Sequence, residues 1–175
     1  MDVFGHVAAS VLLGRAVAPR AELRRATTVA ALAGGLLPDI DAVTYLVGPE
    51  VFLAIHQLYT HNVLAWLVLP PLIAVALSRG LGYPLRWVLI AAWVGMTGHL
   101  IGDVIGLWPV PLLQPFSATK IGFFLLDQDF SLGLDLTLIA GTVLSFWDPI
   151  AESAHRIRAV AAGTGVLAAV VVVIT

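Results

Sequence analysis

The chain is 175 residues long, 59% hydrophobic and only 11% charged, with a mean hydropathy of +0.97, well outside the range of soluble globular domains. The net charge is -2, and no basic stripe points to a nucleic-acid partner, so none is expected. The absence of cysteine excludes disulfides and thiolate metal sites.

What remains is a protein whose surroundings are the lipid bilayer. Apolar stretches of about membrane-crossing length run over 3 to 18, 27 to 47, 62 to 78, 87 to 107, 131 to 147 and 159 to 174. The fold expected is an all-α polytopic membrane helix bundle, a single integral membrane domain over 1–175 with six spans and five as the fallback. The first stretch begins Met1-Asp2 and meets its first positive charge, Arg15, only after the apolar run, so it is expected to be retained and not cleaved as a signal peptide. In the second, "LLPDID" puts Pro38 between Leu37 and Asp39, which predicts a broken or re-entrant segment there. The segment 108 to 130 is expected to dip into the membrane surface. The last stretch, rich in Val and Ala, reads as a plain anchor.

Charge orients these elements. Arg15, Arg20, Arg24 and Arg25 fall between the first two stretches, Arg79 and Arg86 between the third and fourth, Arg156 and Arg158 between the fifth and sixth. With six spans these connections share one side, cytoplasmic by the positive-inside rule, and Lys120 is the one basic residue left on the other. That other face collects Asp2, His6, Asp39, Asp41, Glu50, His56, His61, His99, Asp103, Asp127, Asp129 and Asp135, while Glu22, Asp148, Glu152 and His155 fall with the arginines. From Arg20 to His6, Arg25 to Asp39 and Arg86 to His99 the helical rise is about 20 Å each, against a hydrocarbon core of about 30 Å. Three spans therefore carry a polar group to the same depth, as one site built from several helices requires.

"GHLIGD" sets His99 and Asp103 four apart, on one helix face, which is a metal-ligand spacing. The adjacent Gly98, Gly102 and Gly106 form a small-xxx-small stripe expected to let neighbouring backbones approach. "HQLYTHN" adds His56 and His61, "LPDID" adds Asp39 and Asp41, and the first stretch adds His6. Asp2, Glu50, Asp127 and Asp129 read as solvated loop acids and His155 as a surface residue; Asp135, early in the fifth stretch, is costly unless paired. Carboxylate and imidazole without sulfur suit a divalent metal, zinc first, with manganese or iron as alternatives, in one to three ions. A cation would also account for two aspartates inside a span.

The ordered set His6, "GGLLPDID", "HQLYTH", "GHLIGD" and "PLLQPFS" resembles the YdjM-like family of membrane-bound metal-dependent hydrolases over residues 1–125. That family is similar in turn to zinc-dependent phospholipase C. The resemblance implies a metal set of His6, Asp39, Asp41, His56, His61, His99 and Asp103, and matches Pro115, Phe116 and Ser117 to a later motif. Gln57 and Leu58 stand where the family pattern has Arg-Gly, Asn62 where it has Ser, and Gln114 where it has Trp. The function this implies is a membrane-embedded hydrolase of a phosphoester in a lipid or lipid-linked substrate, in the cytoplasmic (inner) membrane of a prokaryote with its site facing outward. Asp41 or Asp39 would act as general base, with Lys120, Ser117 and Gln57 as substrate contacts. A transporter or ion relay is the competing reading, and it needs polar groups continuing across the membrane. A structural metal site without turnover is the third.

Overall fold

The computed structural model describes residues 3–106, 109–123 and 128–173, which are helical apart from their connections and one antiparallel bridge between Val110 and Ile121. Each expected apolar stretch forms a helix: α1 (Val3–Ala16), α2 (Arg24–Leu36), α4 (Val63–Leu81), α5 (Leu85–Ile105), α6 (Gln128–Phe146) and α8 (Ala154–Val173), with two short helices, α3 (Pro49–Ile55) and α7 (Asp148–Ala151), between them. Among the described residues, three segments, Ala21–Leu46, Val63–Leu81 and Leu85–Ile105, are long and apolar enough to cross a membrane, and Val3–Ala16 and Leu132–Phe146 are apolar but shorter. Asp2 and Asp127 lie outside the described residues.

Local chemistry sets the ends of α4. The Asn62 side chain accepts from Ala65 N at 2.9 Å, capping one of the unpaired N–H groups of the first turn. At the other end Gly82 adopts φ +69 and its N–H reaches Ser78 O at 3.1 Å, a left-handed stop that favours glycine. Between these ends the helix has two faces. Leu64, Leu67, Val68, Leu72 and Val75 are exposed while Ala65, Ile73 and Ala74 are buried, the pattern of a helix with one face toward lipid and the other toward small-residue partners.

Those partners form the bundle's inner packing. Ala26, Ala30 and Ala31 of α2 meet Ile73 and Ala74 of α4 and Val88, Ala91 and Ala92 of α5. Alanine at the contact lets helix backbones approach, and glycine takes this to its limit. A Cβ on Gly34 would collide with the carbonyl oxygen of Ala92, and one on Gly95 with the carbonyl oxygen of Ala31. The approach of α2 to α5 thus uses Gly95, a turn before the stripe singled out in the sequence, while Gly98 of that stripe admits α1, whose Leu13 side chain a Cβ there would meet. The reason is register, because α2 crosses α5 at the level of Ala31 to Gly35.

Arginines fasten the opposite end. Arg15 Nη2 donates to Ser145 O at 2.7 Å, Arg24 Nη1 to Ala151 O, and Arg158 Nε and Nη2 to Ala16 O and Ala18 O at 3.1 and 3.2 Å. Each thereby satisfies a carbonyl at or near the end of a helix, where cations are also favoured by the helix dipole.

The break expected at Pro38 is present. α2 ends at Leu36 and continues as a 3-10 run over Leu37–Leu46. Proline has no N–H to donate and disfavours α geometry at the residue before it. Residues 109–123 fold into a strap: Val110 and Ile121 exchange backbone bonds at 2.8 Å, Leu112 O accepts Val63 N at 2.9 Å, and Phe123 N donates to Val104 O at 2.7 Å. The strap therefore joins the start of α4 to the end of α5. Of the expected 108–130 segment, residues 108 and 124–127 lie outside the described residues.

Candidate metal centre

Four elements bring side chains to one point. α1 supplies His6, the 3-10 run Asp39, the connection before α4 His61, and α5 both His99 and Asp103. His6, His61, His99 and Asp103 are all buried. Asp103 lies at the centre of the set, with Oδ1 3.0 Å from His6 Nε2 and Oδ2 3.3 Å from His61 Nε2 and 3.2 Å from His99 Nε2. Asp39 Oδ1 faces the same two imidazole nitrogens at 3.4 and 3.6 Å. The rings of His6 and His99 stack with centroids 3.9 Å apart.

Hydrogen bonds on the far side of the rings decide what the near side can do. His99 Nδ1 is 2.7 Å from the Gly35 carbonyl oxygen, which can only accept, so Nδ1 carries a proton, and in the neutral ring Nε2 then has the lone pair. The Thr60 hydroxyl donates to Asp41 Oδ2 at 3.3 Å. Its one hydrogen is thus used, which makes His61 Nδ1, 2.9 Å away, the donor to Thr60 Oγ1; in the neutral ring His61 Nε2 then has the lone pair too. Those two nitrogens are 3.0 Å apart.

With both rings neutral, two imidazole lone pairs and two carboxylate oxygens converge there. Such a set is repulsive unless a positive charge is shared at its centre. For a tetrahedral ion with bonds of about 2.0–2.2 Å, ligand atoms lie about 3.3–3.6 Å from one another. The His61, His99 and Asp103 separations of 3.0, 3.2 and 3.3 Å fall within a few tenths of an ångström of that spacing, and Asp39 Oδ1 lies at 3.4 and 3.6 Å from the two nitrogens. The Gly35 and Thr60 contacts are of the kind that fix tautomer and ring orientation in metal-ligating histidines.

Asp41 and His56 stand apart from this inner set. In a 3-10 run of about 3 residues per turn, positions two apart point about 120° from one another. Asp39 accordingly turns into the bundle and Asp41 toward the loop. Asp41 Oδ1 pairs with His56 Nδ1 at 2.9 Å, and Oδ2 accepts from Gln57 N at 3.0 Å as well as from Thr60. Ligand atoms of Asp39, Asp41 and His56 still fall within 4.8 Å of one another, as do those of His6, Asp39 and His99 and those of His61, His99 and Asp103. Asp39 and His99 each belong to two of these groups, so the three form one connected cluster.

Gln57, read as a substrate contact, is buried, and its backbone is what acts: it adopts φ +69, disfavoured for a residue with a Cβ, and its N–H is held by Asp41. Ser117 and Lys120 sit in the strap, where the Ser117 hydroxyl donates to Thr119 Oγ1 at 3.0 Å and Lys120 is exposed. They belong to none of the three groups. Pro115 and Phe116 are exposed in the same strap. Asp135 is buried on α6 and Glu50 is exposed. The two orienting groups that sequence reasoning did not single out, Gly35 O and Thr60, left only a faint signal: they sit two residues before "LPDID" and one before His61.

The whole sequence, residues 1–175, matches the family model described as YdjM inner membrane protein. The chain belongs to this family. Among curated proteins it is 28% identical over 143 residues to the "Uncharacterized protein YfhP" of Bacillus subtilis (strain 168), an alignment covering 73% of this chain and 41% of that relative. The chain thus spans less than half the length of the curated relative it matches. No solved structure matches it. Membership of the YdjM family accords with the three membrane-crossing segments and with a bilayer as the protein's surroundings.

Proposed function

We propose that this YdjM-family protein is a membrane-embedded metal-dependent hydrolase that cleaves a phosphoester, or a similar bond, in a lipid or lipid-linked substrate. The observation that carries the reading is the buried group of His61 Nε2, His99 Nε2 and Asp103 Oδ2, 3.0, 3.2 and 3.3 Å from one another, with the partly exposed Asp39 Oδ1 facing both nitrogens at 3.4 and 3.6 Å. A bound zinc ion would supply an acidified water and charge stabilisation for the attacked group. Manganese and iron accept the same donors.

The chain's own groups divide the remaining work. His6, His61, His99 and Asp103 are buried and hold. Asp39 and His56, with side chains 18% and 20% exposed, form the accessible rim from which a substrate would approach. Both oxygens of Asp41 are engaged by the loop, so Asp39 is the better-placed general base and Asp41 the residue that keeps His61 and Gln57 in position. Against the relay alternative, the contact of α2 with α4 and α5 is apolar, built of Ala26, Ala30, Ala31, Ile73, Ala74, Val88, Ala91 and Ala92, whereas a relay calls for titratable groups.

The test pairs metal analysis with turnover. Wild type purified in detergent should carry zinc, or take up manganese or iron, and release product from at least one member of a panel of phospholipids and lipid-linked phosphates or pyrophosphates. Asp39→Asn should retain metal in part and lose turnover by about 100-fold or more, the scale of a missing general base. A metal-loaded wild type that cleaves nothing in the panel, with Asp39→Asn altered only in stability, would favour a structural metal site.

The outward orientation of the site belongs to the same proposal and rests on the arginine distribution. Because the chain has no cysteine, single cysteines can be introduced at Glu50 and Arg25 and labelled in intact cells with a membrane-impermeant thiol reagent. Labelling is expected at position 50 and not at 25; the reverse pattern would invert the topology.

A further inference from the structure

At the end of the bundle away from the histidines, Arg15 closes α1 and Arg24 opens α2. Each uses one terminal nitrogen on a carbonyl, of Ser145 and of Ala151. This capping leaves much unexplained. Arg15 Nε, Arg24 Nε, Arg24 Nη2 and, one turn further along α2, Thr28 Oγ1 are all buried atoms without a hydrogen-bond partner. Among the described residues no ion pair brings a carboxylate to either arginine.

The two guanidinium groups are also close enough for their charges to oppose one another. They cannot easily part. Arg15 Cζ lies 3.8 Å over the Phe146 ring, and the neighbouring Gly14 is so tightly seated on α2 that a Cβ there would come within 2.7 Å of Thr28 Cα. Buried donors without acceptors, beside two like charges held together, are unfavourable unless an anion joins them.

We infer that Arg15, Arg24 and Thr28 form a binding site for the phosphate of an anionic lipid headgroup. A phosphate offers several acceptor oxygens to the planar guanidinium forks, and Thr28 adds a neutral donor. The lipid source is favoured by position. Arg15 ends an apolar helix and Arg24 lies near the start of the crossing segment Ala21–Leu46, so both sit where headgroups lie, and basic pockets between membrane helices recognise such groups.

The full chain in detergent micelles would be titrated separately with phosphatidylglycerol, with diacylglycerol of the same acyl chains, and with inorganic phosphate, reading the thermal transition. A ligand that binds only the folded state raises that transition. Phosphatidylglycerol is expected to raise it and diacylglycerol to leave it unmoved, with inorganic phosphate acting weakly at high concentration. Arg24→Gln should weaken the lipid effect about tenfold or more, the effect of losing charged hydrogen bonds. Thr28→Val removes one neutral donor and should weaken it about fivefold, and it serves if Arg24→Gln does not fold. Equal shifts with phosphatidylglycerol and diacylglycerol, or wild-type responses in Thr28→Val and in whichever arginine variant folds, would overturn the site. A shift with inorganic phosphate but none with phosphatidylglycerol would overturn the lipid assignment.

Discussion

Asp103→Asn is expected to lower metal affinity by at least about 100-fold, beyond the 10–100-fold typical of losing an orienting group, and to destabilise the protein by about 3 kcal/mol. The carboxylate lies within 3.3 Å of His6, His61 and His99 at once. Asparagine keeps the shape and removes the charge. Its amide also puts an N–H donor where an acceptor had been, so one imidazole lone pair would be satisfied and the others left facing one another. Metal content by mass spectrometry and the thermal transition followed by fluorescence of the five tryptophans would read both effects. Glu50→Gln, at an exposed position, is the control and should change neither. Acidification should mimic the substitution in wild type, because imidazole and carboxylate must be deprotonated to bind metal. An Asp103→Asn protein that keeps wild-type metal content would remove Asp103 from the site.

Gly95→Ala is the second large effect, and it acts on the site without touching it. The added Cβ would collide with the Ala31 carbonyl oxygen, a backbone atom that cannot swing aside as a side-chain tip can. α2 and α5 would have to separate, at a cost of about 1–3 kcal/mol or more for overpacking a tight contact. Because α2 leads into Asp39 and carries the Gly35 carbonyl that orients His99, separation should also weaken metal binding. Gly80→Ala gives the contrast, since nothing lies within 4 Å of a Cβ there. In that helix alanine should be neutral or stabilising by about 0.5–1 kcal/mol. Equal thermal transitions and metal contents in the two variants would show that the α2–α5 approach does not support the site.

The sequence by itself determined the class and most of the parts. Hydropathy located six helices because a membrane segment must be both apolar and internally hydrogen-bonded, and Pro38 marked the break because a proline cannot continue the ladder. Counting helical rise from the arginines put His6, Asp39 and His99 at one depth, and their ligand atoms do fall within 4.8 Å.

Only the tertiary structure decided how those parts divide. Spacing along the chain cannot say which way Asp39 and Asp41 turn, since that depends on the 3-10 geometry after Pro38. It cannot say that Asp41 faces the loop while Asp39 faces the histidines. Nor could it find Gly35 O and Thr60, because a carbonyl has no sequence signature and a lone threonine has almost none. That α2 meets Gly95 and α1 meets Gly98 has a related reason: any small residue permits close approach, and the crossing level of each partner selects which one is used. Depth and residue type are properties of one helix and are written in the sequence, whereas orientation between helices is set by partners far along the chain, as with His6 and Asp103, 97 residues apart.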